Sequence, residues 1–149
     1  MQQIKNTRAA GFTLIELMIA VVIIGILSAV AYPAFQRKAF ETRRSDAYIA
    51  LSQLANDMEK FYSACSAYTD QITVARNCTP AGLGRPNNLS PNGYYQLAIA
   101  LPAAGTYSLT ATPVAGGKQA GDTECTGFTL TNTGQKSATG SNISRCWRQ

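Results

Sequence analysis

The stretch Gly11-Phe-Thr-Leu-Ile-Glu-Leu-Met-Ile-Ala-Val-Val-Ile-Ile-Gly-Ile-Leu-Ser-Ala-Val-Ala-Tyr32 decides how this chain is built. At roughly 1.5 Å per helical residue it covers a hydrocarbon core of about 30 Å, and no later stretch approaches its length. Between Phe12 and Phe35 the one formally charged side chain is Glu16, whereas all four cysteines lie beyond Tyr62. The 149 residues leave room for one domain after this segment, and 46% hydrophobic with 14% charged residues is ordinary for a globular protein. The chain therefore reads as two physical objects joined end to end.

The apolar segment has three readings. As a secretory signal peptide, Lys5 and Arg8 form the basic region and Ala29-Val30-Ala31 the small-x-small cleavage site. An ordinary signal core is shorter, about 7 to 15 residues, and lacks a carboxylate. As a permanent single-span anchor it gains little from the positive-inside rule, because Arg37 and Lys38 follow the span as closely as Lys5 and Arg8 precede it. The third reading explains Glu16. An acidic residue in an apolar helix is costly and needs a partner. A cut between Gly11 and Phe12 creates an α-amino cation about one turn from Glu16, and between neighbouring chains that pair would set the axial register of a polymer.

The string from Gly11 to Leu27 resembles the N-terminal signature of type IV prepilins and the related pseudopilins almost residue for residue. The resemblance implies that a prepilin peptidase cuts after Gly11 at the cytoplasmic face and N-methylates Phe12. It matches Glu16 to the family's glutamate and Pro33 to its helix proline. It implies three regions: a leader at 1–11, a transmembrane and polymerisation helix at 12–35, and a head at 36–149. It also implies an inner-membrane precursor that an assembly platform builds with other pilin subunits into an extracellular fibre. The overall layout is most similar to PilE-type minor pilins, through Tyr94-Tyr95, Thr112-Pro113 and the C-terminal Cys146-Trp147.

Beyond the span, Phe40, Ala47, Leu51, Leu54, Ala55, Met58 and Phe61 or Tyr62 recur in steps of three, four and seven. This predicts an amphipathic helix over 36–63 with Arg43, Arg44, Asp46, Gln53, Asn56, Asp57 and Lys60 on its polar face. Pro33 interrupts the helical hydrogen bonds, at a cost on the order of 3 kcal/mol, and predicts a kink or a local unwinding. With Gly25 and Ser28 it makes 25–33 the softest part of the rod. The turn residues after Tyr62 predict irregular chain to Asn92. Alternation at Tyr95, Leu97, Ile99 and Leu101, a turn at Pro102–Gly105, and alternation at Tyr107, Leu109 and Ala111 predict a hairpin. Phe128 and Leu130 mark a third strand, giving a sheet over about 94–132. The fold class is α+β: a long N-terminal helix packed on a small antiparallel sheet.

Cys65, Cys78, Cys125 and Cys146 are even in number, favouring disulfides in an oxidising compartment. Zinc is the rival use, but spacings of 13, 47 and 21 contain no Cys-x-x-Cys and the chain has no histidine. Four cysteines permit three pairings. The sequence-nearest one joins Cys65 to Cys78 and Cys125 to Cys146, and pilins commonly staple their C-terminal region, as the resemblance suggests.

No catalytic constellation is present, and neither cofactor nor metal is expected. Asp122 and Glu124 read as a solvated turn with too few oxygens for a hard cation. The net charge is +5 and loss of Lys5 and Arg8 leaves 11 basic against 8 acidic residues, a mild surplus. The leading function is a structural subunit, major or minor, of a type IV pilus supporting adhesion, twitching motility or DNA uptake. One alternative is a DNA-binding competence pilin, with Lys118, Lys136, Arg145 and Arg148 meeting phosphates and Trp147 stacking on bases. The other is a type II secretion pseudopilin, which shares the N-terminal motif and is distinguished only by its head.

Overall fold

The computed structural model describes residues 11–147. The proposed leader up to Ala10, and Arg148, lie outside the described residues. Helix α1 runs from Leu14 to Cys65 as one 52-residue element, and its assignment passes through Pro33 without a break. Thr13 precedes the first turn and its hydroxyl accepts the Glu16 amide at 3.3 Å, the bond expected of an N-cap residue. The helix stops where Ser66 adopts a left-handed φ of 54° and donates its amide to the Tyr62 carbonyl at 2.7 Å.

The chain divides into two compact units, the first reaching Lys38 and the second beginning at Ala39. In the first, every described residue is exposed. In the second, the rest of α1 buries Ala47, Ala50, Leu51, Leu54, Met58 and Phe61. These residues share one core with Tyr95, Leu97, Leu109, Ala111 and Phe128. The expected stripe is present, with one correction: Arg44 and Asp46, placed on the polar face by sequence, are buried.

Among the described residues six strands follow: β1 (Asn77–Cys78), β2 (Ala81–Gly82), β3 (Tyr95–Ala100), β4 (Ser108–Pro113), β5 (Gly127–Thr131) and β6 (Lys136–Thr139). The first two form a small antiparallel hairpin inside the segment expected to be irregular. The other four form an antiparallel meander in the order β3-β4-β5-β6. The sheet thus extends past residue 132 by one strand. A turn with Gly134 at φ 78° leads into β6, and Thr131 donates its amide across it to the Gln135 carbonyl at 3.1 Å. Leu101, expected on the buried side of its strand, lies beyond β3 and is exposed.

The registers align Leu97, Ala111 and Phe128 on the core side, and Ala98, Thr110, Thr129 and Ser137 on the other. These four outward positions carry short uncharged side chains. Disulfides join Cys65 to Cys78 and Cys125 to Cys146, each with Cα atoms 5.5 Å apart.

Candidate functional site: the apolar helix and the tethers of the head

Gly11 and Phe12 lie just before α1 and are exposed. Leu17 donates its amide to the Thr13 carbonyl at 3.2 Å, so helical bonding begins at once. Glu16 falls in the first turn, where the positive end of the helix dipole favours a carboxylate. Thr13-x-x-Glu16 is also the spacing of a capping box, a local role for Glu16 that the sequence reading did not consider. From Phe12, 85% exposed, to Phe35, 74% exposed, the large apolar side chains of this segment are uncovered. By length and composition α1 can cross a membrane.

In the second unit, polar tethers gather where α1 enters the head. Arg44 grips Asp122 with two hydrogen bonds, Nε to Oδ2 and Nη2 to Oδ1, both 2.7 Å. Its Nη2 also reaches Glu124 Oε2 at 3.1 Å. Asp122 further accepts from Gln119 Nε2 at 2.8 Å and from the Cys125 amide at 3.3 Å. Gln119 Nε2 bonds the Phe40 carbonyl at 3.3 Å. Arg43 donates to the Lys118 carbonyl at 2.8 Å and its guanidinium sits 5.5 Å over the Tyr94 ring. Asp46 Oδ1 accepts from the Asn92 amide at 3.1 Å and from its Nδ2 at 2.9 Å. The hydrogen bonds that Arg44 donates to Asp122 outweigh burial and raise the Arg44 pKa further, so this guanidinium stays charged.

Asp122 is therefore not the solvated turn residue expected from sequence; burial forces it to find a cation, and Arg44 supplies it. The signal was present: Arg44 stands three residues before Ala47 and seven before Leu51, on the apolar stripe itself. Asp46, four residues before Ala50, follows the same logic.

The C-terminal region is tied to the same core. Tyr48 donates its hydroxyl to the Cys146 carbonyl. Trp147 stacks on Tyr48 with ring centres 5.1 Å apart, meets Phe128 edge-on at 5.6 Å, and donates Nε1 to the Ser137 carbonyl at 2.7 Å. Lys136 Nζ lies 5.4 Å from the centre of the same ring. The structure thus brings Lys136 and Trp147 together, but it engages the indole within the head instead of leaving it open for stacking. Lys118 and Arg145 are exposed. Among the other basic residues, Arg85 pairs with Asp57 at 2.9 Å and Arg76 approaches the same carboxylate at 3.7 Å. Burial raises the phenol pKa values of Tyr95 and Tyr107, and the Glu59 carboxylate adds to the shift at Tyr107.

An exposed apolar half-helix whose continuation forms one wall of a small disulfide-bonded antiparallel sheet defines a pilin-like class of protein. The profile described as "Type IV minor pilin ComP, DNA uptake sequence receptor" matches residues 33–142, and the chain belongs to that type IV pilin family. A second profile, "Prokaryotic N-terminal methylation motif", matches residues 6–32. The chain is 45% identical over 65 residues to the type IV major pilin protein PilA of Myxococcus xanthus (strain DK1622), covering 44% of this chain and 30% of that protein. It is 34% identical over 96 residues to the fimbrial protein EcpC of Eikenella corrodens, covering 64% and 56% respectively. The matched region thus spans between 30% and 56% of the length of these curated relatives. The crystal structure of the Neisseria meningitidis non-core minor pilin PilV overlays with a TM-score of 0.49 at 20% identity, covering 70% of this chain and 91% of that one.

Proposed function

We propose that this chain is a structural subunit of a type IV pilus, major or minor. The observation that carries the reading is the uncovered apolar half of α1 in a chain of this family. Such a surface needs lipid before assembly and neighbouring helices after it. In this reading residues 1–11 are a leader removed by a prepilin peptidase, and Phe12 is N-methylated. The 12–35 segment holds the precursor in the inner membrane until an assembly platform inserts it into the fibre. Glu16 meets the α-amino group of Phe12 in a neighbouring subunit and fixes the axial register. Pro33 is the helix kink, and 36–149 is the head on the fibre surface. The test is mass spectrometry of the chain recovered from sheared fibres. A mature N-terminus at methylated Phe12 is expected, and a chain starting at Met1 or Tyr32 overturns the reading.

A second reading, a pilin that captures DNA for uptake, is favoured by the description of the matching family and by the exposed cations Lys118, Lys136 and Arg145. Phosphate contacts of this kind weaken steeply as salt rises. Micelle-solubilised chain is expected to retard duplex DNA at low salt and to lose most of that shift when Lys136 and Arg145 are both replaced by Ala. No retardation at low salt removes this reading and leaves the structural one intact.

A further inference from the structure

The polar tethers from the Asn92–Tyr94 turn and the 118–124 loop reach α1 within Phe40–Asp46, about two helical turns. They come from one end of the sheet, from the Asn92–Tyr94 turn before β3 and from the 118–124 loop between β4 and β5, whose chains meet where Val114 donates its amide to the Tyr94 carbonyl at 3.0 Å. The next section of the helix, Ala47 to Leu54, is held mainly by apolar packing, which is not directional and yields as its residues are drawn off one by one, with a polar link from the Tyr48 hydroxyl to the Cys146 carbonyl. Further polar links, at Asp57 and Glu59, come later and are partly exposed. Upstream, the described residues 11–38 are exposed, and Gly25 to Pro33, whose residues favour the helix least, lie there.

We propose that Phe40–Asp46 is a mechanical stop, with Arg44 as its pin. When α1 is pulled from its N-terminus, unravelling that begins near Gly25–Pro33 runs along the uncovered segment and halts at Arg44. The two-pronged Arg44–Asp122 grip is loaded in shear and all its bonds share the load, so the helix behind it stays in the core and the head keeps its fold. The loop that bears Asp122, the partner of the pin, is itself anchored at Cys125, three residues on, by the disulfide to Cys146. The pilus reading supplies the origin of the load, since tension in a helix-built polymer enters each head through this turn. The stop itself is a property of the single chain, so its failure is separable from failure of that reading.

The test is force spectroscopy on the full chain in detergent micelles, tethered through its two termini. Each residue that leaves the helix adds about 2 Å of length, so the first extension reports where unravelling ends. In the native chain it ends near residues 40–44. The paired substitution Arg44→Met with Asp122→Leu removes both charges together and fills the space, an exchange that buried ion pairs often tolerate without loss of stability. In this variant the first extension lengthens past Ala47 and its force falls at least twofold, with the thermal midpoint of the head unchanged. An unchanged extension and force in the folded variant overturns the proposal. Should the pair not fold, Arg44→Lys keeps the charge but loses the forked grip; a lowered force supports the stop and an unchanged force refutes it.

Discussion

The two halves of α1 are made of similar side chains and end in opposite environments. Ile24 is 62% exposed and Leu27 is 64% exposed, whereas Leu51 and Leu54 are fully buried. The difference lies in the arrangement of the residues around the axis. The first half is apolar on every side, a pattern that suits only lipid or a bundle of like helices. The second half is apolar along one stripe, which a single small sheet can cover. A continuous helix thus carries two different demands for cover, one met within the chain and one that only an environment outside it can meet.

The sharpest way to break this contrast is at Glu16. If neighbouring subunits supply its countercharge, Glu16→Ala leaves a buried cation unpaired at a cost of about 3 to 5 kcal/mol. Fibre yield in shearing assays is then expected to fall roughly a hundredfold or more. Arg44→Ala is expected to strip the head of a comparable 3 to 5 kcal/mol in urea unfolding, because Asp122 is then buried alone. Leu54→Ala should cost about 2 to 5 kcal/mol by the same measurement, whereas Ile24→Ala in micelles should move head stability by less than about 0.5 kcal/mol. Equal effects of these last two would abolish the distinction between the halves.

Replacing Cys125 and Cys146 together by Ser opens a crosslink of sequence separation 21, worth about 3 kcal/mol on the loop-entropy account, visible as a lower thermal midpoint. The smallest effect is alkaline. Tyr95 and Tyr107 hold their protons more tightly in the folded state than the ordinary phenol value near 10 allows. Stability is therefore fully present below about pH 10 and declines as pH rises above it, because the unfolded chain releases those protons first. Urea midpoints measured from pH 8 upward should follow this course. Tyr95→Phe should flatten it, with little cost at neutral pH, since the Tyr95 hydroxyl has no hydrogen-bond partner among the described residues.

The long helix, its stripe and the first three main strands were legible because periods of 3.6 and 2 are written directly in apolar residues. Strand β6 was not, since Lys136 and Ala138 are its core-side residues and only Ala138 is apolar, and the strand sits between Gly134 and Gly140, which read as loop. Gly140 is instead required by crowding, as a Cβ there would run into the Glu124 carbonyl. The hairpin of β1 and β2 is too short for any alternation to register. In the candidate site, Phe12 and Glu16 stood out because one charge in an apolar run is conspicuous. Asp122 did not, because its partner is 78 residues away and pairing at that distance is a tertiary fact. Burial of Arg44 could have been inferred from its place on the stripe, but its polarity argued the other way.

The pleat of the sheet has a consequence for how such a protein can change over generations. Leu97, Ala111, Phe128 and Ala138 answer to the interior, while Ala98, Thr110, Thr129 and Ser137, each one step along the chain, answer to what lies outside. A lineage can rewrite the second set, altering the chemistry presented outward, without renegotiating the first.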